Sequence, residues 1–265
     1  MTPMNDNDRL LKTIDAVISE GNYNLGQNDD LFIKRIFSQG ISKYTNRLLA
    51  LGFSGNQQVL DAGCGFGQWS IALSLLNENV TSCDISSTRI TFIKDLQRAL
   101  ALSNLEAEVS KLETLPYADS TFDAIFCYGV IFLTSWKITL KEFSRVLKPG
   151  GSIYLNANGL GWYIFLWNEE HNKTEDYDPK SVAAKTLLDT LSYQRNGSLK
   201  PGARTIIEPV EFTEELDGLG FCNISSGAEG TLHLDSNAAP PEPFFMGQYN
   251  GLMGVHEVVA EKPPQ

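Results

Sequence analysis

The sequence predicts an α/β fold in which helices cover both faces of a doubly wound, mostly parallel sheet. Short apolar segments alternate along the chain with segments of helical periodicity, which is the pattern of such a fold. A turn with three glycines joins one apolar segment to a helix, and the next apolar segment ends in an aspartate. In a doubly wound sheet these features place a ligand site at the carboxyl ends of the strands.

Composition narrows the classes of function. The chain has 265 residues, of which 42% are hydrophobic, and its formal net charge is -11. This charge argues against a nucleic-acid partner, because an acidic surface repels phosphate backbones. No apolar run approaches the roughly 18 residues of a membrane span, and residues 1–8 lack the pattern of a secretion signal. We therefore expect a cytoplasmic protein without a membrane partner, either a monomer or a homodimer.

The cysteines predict neither a disulfide framework nor a metal site. They lie far apart in the chain and lack the spacing of metal ligands. Three of the four fall in predicted strands or in the glycine turn, so we interpret them as buried free thiols. The four positions are Cys64, Cys83, Cys127 and Cys222.

Residues 1–54 are predicted to form a helical cap. Apolar residues recur at three- and four-residue steps between Leu10 and Ile18, and further helices are predicted at 30–39 and 42–51. Two compatible interpretations of the cap remain open: it packs on the sheet, or its aromatic side chains close over the ligand site. The aromatic candidates for the second interpretation are Tyr23, Phe32 and Tyr44.

The glycine turn at residues 63–67 is the motif on which the functional prediction depends. A predicted strand containing Asp61 precedes the turn, and a predicted helix at 68–76 follows it. The turn has the pattern G-x-G-x-G, whereas a dinucleotide-binding turn has G-x-G-x-x-G. This stretch resembles motif I of the class I S-adenosylmethionine-dependent methyltransferases. In that family the loop holds the methionine part of the cofactor.

Asp84 ends the next predicted strand, 17 positions after Gly67. A carboxylate at this place can accept hydrogen bonds from both ribose hydroxyls of the cofactor, and the following Ile85 could cover one face of adenine. The resemblance implies a set of positions that contact the cofactor. They are Asp61, Gly63, Cys64, Gly65, Gly67, Trp69, Asp84, Ile85, Lys111, Leu112, Glu113, Tyr128 and Gly129.

Two further motifs follow in the order of the family. Residues 112–123 resemble the stretch between the third and fourth strands, with Leu-Pro-aromatic followed by Phe-Asp. The family's adenine-binding aspartate is replaced by Lys111, whose ammonium cannot accept a hydrogen bond. We therefore expect Glu113, a backbone group or packing to hold adenine. Leu-Lys-Pro-Gly-Gly at 147–151 resembles the stretch before the fifth strand in the small-molecule, type 11-like branch.

The resemblance covers residues 42–158 and implies a Rossmann-like sheet of seven strands in the order 3-2-1-4-5-7-6. It also implies that an insertion after the fifth strand serves as a substrate lid. We expect a single domain with four parts. These are a cap at 1–54, a cofactor-binding core at 55–158, a lid or substrate region at 159–220, and the last two strands with their connecting loop at 221–265.

The acceptor pocket is predicted beside the end of the fourth strand. Tyr128 and Phe132 follow that strand, and in the lid region Trp162, Tyr163 and Trp167 occur within six positions. Such a cluster predicts an apolar or planar pocket wall, with packing inside a helical core as the alternative. The sequence after the fourth strand also lacks the Asn-Pro-Pro-Tyr of adenine and glutamine methylases, which argues against nucleic-acid base methylation.

A general base is not assigned by any motif. His256 falls in the predicted seventh strand, so we interpret it as structural. His171 in the lid region and His233 after the sixth strand are weak candidates, and Tyr128 is a third. The alternative for both histidines is a solvated loop position.

These motifs predict methyl transfer from S-adenosylmethionine to a hydroxyl or amine of a small molecule, such as a metabolite, a sugar or a natural product. S-adenosylhomocysteine would be the other product. One alternative is a catalytically silent module that keeps the fold and binds a partner. A weaker alternative is a nicotinamide-dependent oxidoreductase. Its G-x-G-x-x-G pattern, counted from Gly63, requires glycine at position 68, where this chain has Gln68.

Overall fold

The computed structural model describes residues 6–21, 23, 25 and 27–264. Nine strands run through these residues. They are β1 (Gln58–Ala62), β2 (Asn79–Asp84), β3 (Leu105–Val109), β4 (Phe122–Cys127), β5 (Leu147–Asn158), β6 (Cys222–Ala228), β7 (Gln248–Tyr249), β8 (Leu252–Met253) and β9 (Val255–Glu261).

Seven of these strands form one sheet in the order β3-β2-β1-β4-β5-β9-β6. The five strands from β3 to β5 are parallel, and β9 runs antiparallel to both β5 and β6. The strand order reverses between β1 and β4, so the crevice of a doubly wound sheet lies at the carboxyl ends of these two strands. The predicted Rossmann-like order is confirmed, with β9 as the seventh strand of the sheet. A separate hairpin, β7–β8, was not predicted.

The helices of the described residues alternate with the parallel strands as predicted. They are α1 (Asp6–Glu20), α2 (Gln27–Ser38), α3 (Ile41–Ala50), α4 (Gln68–Leu76), α5 (Ser87–Ala99), α6 (Trp136–Val146), α7 (Leu160–Glu169), α8 (Pro179–Asn196) and α9 (Pro209–Gly218), with a 3-10 helix at Ile131–Leu133. Helix α6 ends at Val146, just before the Leu-Lys-Pro-Gly-Gly stretch at 147–151. Pro149 accounts for this end, because proline disfavours helix in the residue before it.

Two apolar clusters cover the opposite faces of the sheet. Alternation along β4 sends Ile125 to one cluster and Phe126 to the other. Helices α6 and α9 pack on the first face, and α3, α4 and α5 contribute to the second. Together these layers bury the sheet and leave its carboxyl edge as the place where connecting loops meet.

The N-terminal helices divide into two groups. Helix α3 packs on the sheet, whereas α1 and α2 pack on α4, α5 and the glycine turn through a third apolar cluster. Phe37 of α2 belongs to this third cluster together with Phe66 of the turn and Phe92 of α5. The interpretation of the whole cap as packing on the sheet is therefore correct for α3 and wrong for α1 and α2. Within the described residues, none of the helices has the length and apolar character of a membrane span.

Candidate cofactor and acceptor site

The glycine turn between β1 and α4 is fastened to the end of β2. The backbone N–H groups of Gly63 and Cys64 both donate to the carbonyl of Cys83, at 2.8 and 3.0 Å. Gly65 has a φ of 57°, a left-handed conformation that glycine adopts without the steric cost of a Cβ. A Cβ at Gly63 would lie 2.4 Å from Cγ1 of Val130, whereas a Cβ at Gly65 would have no atom within 4 Å. The turn therefore packs closely at Gly63 and borders open space at Gly65.

Asp84 lies directly against this turn. One carboxylate oxygen accepts the backbone N–H of Gly65 at 3.1 Å, and the other accepts the N–H of Ser86 at 2.9 Å. An ionised carboxylate has about four acceptor sites, so acceptor capacity remains for two ligand hydroxyls. The side chain of Ile85 is 68% exposed and offers apolar surface next to the carboxylate. The two motifs identified in the sequence thus form one continuous site.

Gln68, the first residue of α4, carries an unpaired acceptor directly after the glycine turn. Its side-chain oxygen is buried and has no hydrogen-bond partner among the described residues. Such an oxygen costs about 1–3 kcal/mol unless a donor reaches it. The carboxylate of Asp84, the space at Gly65 and this oxygen suit a ligand with two adjacent hydroxyls and an ammonium. S-adenosylmethionine has both, so the residues present fit this cofactor.

Asp61 is buried at the end of β1. Its side chain accepts the hydroxyl of Ser70 at 2.6 Å, and no cation pairs with it among the described residues. Burial raises the pKa of Asp61 to about 7, the Ser70 hydrogen bond opposes this rise, and the nearby charge of Asp84 adds to it. The carboxyl therefore titrates near neutral pH inside the folded protein.

We expect Asp61 to make the folded protein less stable as the pH rises from about 4 to about 7. The unfolded chain loses this proton near its ordinary pKa of 3.8, and the folded protein loses it near 7. The stability that the bound proton contributes is therefore fully present below about pH 4 and is lost as the pH rises through about 7. Urea unfolding at pH 5 and pH 8 measures the effect. Between pH 5 and pH 8 the free energy of unfolding should fall on the order of 2 kcal/mol more in the wild type than in Asp61→Asn. Equal losses in the two proteins would contradict this assignment.

The segment after β3 has three predicted cofactor contacts. Lys111 is exposed, and Leu112 is buried in the core. One carboxylate oxygen of Glu113 accepts the backbone N–H of Ser135 at 3.0 Å, which ties this segment to the start of α6. The other oxygen of Glu113 has no partner among the described residues and is available to a ligand.

The end of β4 forms the other side of the crevice. The Tyr128 ring lies 4.8 Å from the Trp69 ring between centroids, and the backbone N–H of Gly129 donates to Oδ1 of Asn156 at 2.6 Å. The Tyr128 hydroxyl donates to Oε1 of Glu229 at 3.0 Å. Burial, followed by the charge of Glu229, raises the pKa of Tyr128 well above its ordinary value. Tyr128 thus stays protonated at neutral pH and acts as a hydrogen-bond donor.

Tyr128 contacts a buried charge network through Glu229. The Arg47 guanidinium contacts the carboxylates of Glu229, at 2.9 Å, and of Glu257. Glu257 also accepts the Tyr154 hydroxyl at 2.9 Å and three backbone N–H groups of residues 230–232. All three charged side chains are at most 1% exposed. The network joins α3, β5 and β9 to the loop that follows β6.

The three aromatic residues predicted for the lid lie on helix α7, where each has different surroundings. Trp162 is half-buried and has ring contacts with Phe165, His171 and Phe245. Tyr163 is buried in a cluster that α7 shares with α8. Trp167 is 48% exposed and has no ring contact among the described residues. Phe132, after β4, packs against the core cluster on one face of the sheet.

The aromatic residues predicted for the cap lie at different depths. The Tyr23 hydroxyl donates to Asp95 of α5. The Phe32 ring lies 6.1 Å from the Phe66 ring of the glycine turn. Tyr44 is buried against Trp69 at 4.8 Å, and its hydroxyl donates to the carbonyl of Ile36.

The three histidines have different surroundings. His256 is buried in β9 and donates from Nε2 to the carbonyl of Ile207 at 2.8 Å, and burial lowers its pKa. Its position agrees with the structural role predicted for it. Nε2 of His233 lies 3.0 Å from the carbonyl of Ala238 in its own loop. His171 is exposed, and its ring nitrogens have no hydrogen-bond partner in the described part of the chain.

Several residues of this region were not identified from the sequence. Gln68 and Asn156 are single polar residues in apolar surroundings, and Arg47 and Glu229 are charges whose burial no local pattern indicates. Phe245 follows a proline-rich loop that predicts only a rigid turn. No three His, Cys, Asp or Glu side chains of the described residues converge to hold a metal ion.

Comparison with known proteins agrees with this geometry. Residues 59–151 match the family model of a methyltransferase domain. The chain is 33% identical over 131 residues to the tRNA U34 carboxymethyltransferase of Campylobacter curvus (strain 525.92). The aligned residues make up 49% of this chain and 43% of that protein. It is 33% identical over 100 residues to the demethylmenaquinone methyltransferase of Bacillus cytotoxicus, covering 36% of this chain and 42% of that protein. The similarity therefore spans less than half the length of each of these two relatives.

The fold also matches solved structures. Geranyl diphosphate methyltransferase in complex with S-adenosylmethionine superposes with a TM-score of 0.60 at 15% identity, covering 91% of this chain and 93% of that chain. At this identity the match concerns the fold alone. The similarity to a methyltransferase domain is thus carried by residues 59–151, and the fold of the chain is that of methyltransferases of known structure.

Proposed function

We propose that this chain transfers a methyl group from S-adenosylmethionine to a hydroxyl or amine of a small molecule. The observation that carries the proposal is the hydrogen bond of 3.1 Å between the Gly65 N–H and the Asp84 carboxylate, because it joins the glycine turn and the ribose acid in one site. When bound, the cofactor supplies an electrophilic methyl group on a sulfonium. Methyl transfer then depends chiefly on alignment of the acceptor and on exclusion of water.

Residues of this chain have distinct roles in the proposed site. Asp84 accepts the ribose hydroxyls, and the buried oxygen of Gln68 accepts from the ammonium of the methionine part. Ile85 covers adenine with apolar surface. Tyr128 and the segment at 129–133 border the methyl position, where they exclude water. An amine acceptor needs only to be neutral, whereas a hydroxyl needs a base.

A small molecule is favoured over a nucleic acid as the acceptor. The net charge of -11 opposes the approach of a phosphate backbone. Aromatic side chains border the end of β4, and they suit an apolar or planar acceptor better than a charged one. The roles proposed for the cap at 1–54 and for the lid at 159–220 are to enclose this acceptor.

The binding half of the proposal is tested by calorimetry with a matched pair of glycine variants. We expect S-adenosylmethionine and S-adenosylhomocysteine to bind the wild type and to bind Gly65→Ala at least tenfold more weakly, since a methyl group would occupy the space beside the turn. Gly52→Ala is the control, because Gly52 also has a positive φ of 77° and no atom within 4 Å of a Cβ, but it precedes β1. Both variants should lose about 1–2 kcal/mol of stability. Absence of binding by the wild type at millimolar concentration would reject the proposal.

The catalytic half is tested by formation of S-adenosylhomocysteine with a panel of acceptors. The panel should contain phenols, sugars, primary amines and unmodified tRNA, each incubated with labelled cofactor. Label in a phenol, sugar or amine supports the proposal. Label in tRNA alone would reject the small-molecule acceptor while keeping methyl transfer, and cofactor binding without any labelled product would favour a silent module.

A further inference from the structure

Four aromatic side chains form a continuous strip from the end of β4 to helix α7. The distances between ring centroids are 6.4 Å from Tyr128 to Phe245, 5.7 Å from Phe245 to Trp162, and 5.5 Å from Trp162 to Phe165. Phe245 is 38% exposed, and the other three rings are half-buried. We call these four residues the aromatic strip. It combines accessible ring surface with a direct connection to the crevice at β4.

Helix α7 is held against the sheet so that Trp162 stays near this crevice. The helix begins directly after β5, the neighbour of β4, and Glu208 accepts the backbone N–H of Leu160 at 2.8 Å. A Cβ at Gly161 would lie 2.6 Å from the carbonyl oxygen of Leu252, so the helix and the β7–β8 hairpin touch through their backbones. The first turn of α7 is thus fixed at the carboxyl edge of the sheet.

Glu229 fixes the other half of the strip. One carboxylate oxygen accepts the Tyr128 hydroxyl at 3.0 Å, and the other accepts the N–H groups of Phe244 and Phe245 at 2.8 and 3.1 Å. The carboxylate is buried and paired with Arg47 at 2.9 Å. A single buried charge therefore sets the spacing of two rings, one of which remains accessible.

The chemistry of the strip points to its ligand. Its accessible surface is made of ring faces and edges, and the buried carboxylate of Glu229 already has four partners, Arg47, the Tyr128 hydroxyl and the N–H groups of Phe244 and Phe245. Aromatic side chains bind planar rings by stacked and edge contacts, each of which changes affinity about twofold to tenfold beyond the effect of buried area. An apolar, planar molecule satisfies this surface, whereas a sugar or an amino acid leaves polar groups without partners.

We propose that the aromatic strip is the acceptor subsite and that it binds a planar aromatic molecule, whose nucleophile points toward the end of β4. This inference rests on the proposed methyl transfer and names its substrate class. The far end of the strip reaches the exposed imidazole of His171, 5.1 Å from the Phe165 ring.

The test measures binding of 2-naphthol to protein saturated with S-adenosylhomocysteine, by calorimetry. Decahydro-2-naphthol is the matched probe, because it keeps the carbon skeleton and the hydroxyl but is neither planar nor aromatic. We expect 2-naphthol to bind the wild type at least fivefold more tightly than decahydro-2-naphthol. Trp162→Leu and Phe245→Leu should each weaken 2-naphthol at least fivefold and leave the affinity for S-adenosylhomocysteine unchanged.

Trp167→Leu is the control variant, since Trp167 lies on the same helix, is 48% exposed and is outside the strip. It should bind 2-naphthol like the wild type. The inference is overturned if Trp162→Leu and Phe245→Leu keep wild-type affinity, if Trp167→Leu weakens binding equally, or if decahydro-2-naphthol binds as tightly as 2-naphthol. Phe245 is an exposed loop residue, so Phe245→Leu should fold. If Trp162→Leu does not fold, the result for Phe245→Leu decides the test.

The two proposals fail in distinguishable ways. If S-adenosylhomocysteine does not bind the wild type, the proposed function fails, whatever 2-naphthol does. If S-adenosylhomocysteine binds and the strip variants have no effect on 2-naphthol, only the acceptor subsite is rejected.

Discussion

Asp84→Asn is expected to lower the affinity for S-adenosylhomocysteine by about 30- to 1000-fold. The carboxylate accepts two ribose hydroxyls in the proposed complex, and hydrogen bonds to a charged group contribute about 1.5–3 kcal/mol each. The amide keeps one acceptor and loses the charge, so we expect a loss of about 2–4 kcal/mol. Calorimetric titration of both proteins with S-adenosylhomocysteine measures this difference.

Asp84 also holds the backbone of Gly65 and Ser86, so a structural control is needed. Asp123→Asn provides it, because Asp123 likewise accepts a backbone N–H, from Gln58 at 2.8 Å, and lies at the opposite, amino end of β4. This variant should lose about 1 kcal/mol of stability and bind S-adenosylhomocysteine like the wild type. Wild-type affinity in Asp84→Asn, or an equal loss in both variants, would refute the ribose role.

Arg47→Met is expected to destabilise the protein by about 3–5 kcal/mol, because it leaves two buried carboxylates without their cation. Glu229 and Glu257 are both fully buried, and the remaining partners of each are backbone N–H groups and a tyrosine hydroxyl. Burial already raises the pKa of Glu257 despite the charge of Arg47. Urea unfolding of the variant and the wild type at neutral pH measures the loss.

The matched control for Arg47→Met is Lys137→Met. Lys137 also pairs with two carboxylates, Glu211 at 3.5 Å and Glu215 at 3.1 Å, but its side chain is 41% exposed. Water replaces the lost cation at such a site, so Lys137→Met should cost less than about 1 kcal/mol. If Arg47→Met costs no more than Lys137→Met, burial does not set the strength of the network.

The loss in Arg47→Met should also depend on pH. Without the guanidinium, the folded state favours protonated Glu257, so its folded pKa rises further above that of the unfolded chain. Stability from this source is present at low pH and is lost as the pH rises through the folded pKa. The difference between the variant and the wild type should therefore be smaller at pH 5 than at pH 8.

The sequence by itself determined the sheet and the place in it of the two motifs that form the proposed cofactor site. The turn at 63–67, its helix and Asp84 lie within 22 residues, and in a parallel sheet such a strand–turn–helix–strand unit brings both motifs to the same edge. Local periodicity likewise predicted the strands and most of the helices, because each element buries one face of its own. The replacement of the family's adenine-binding aspartate by Lys111 was also visible in the sequence, because this residue has a fixed place in an ordered motif.

Only the tertiary structure decided the acceptor half and the charge network. Trp162 and Phe245 are 83 positions apart, and Arg47 and Glu229 are 182 apart, so their contacts depend on how helices and loops pack rather than on any local pattern. Periodicity indicates that a residue is buried but not which side chain it meets, and charge normally indicates an exposed position. For this reason the sequence grouped Trp162, Tyr163 and Trp167 in one wall, whereas helix α7 directs them to three different environments.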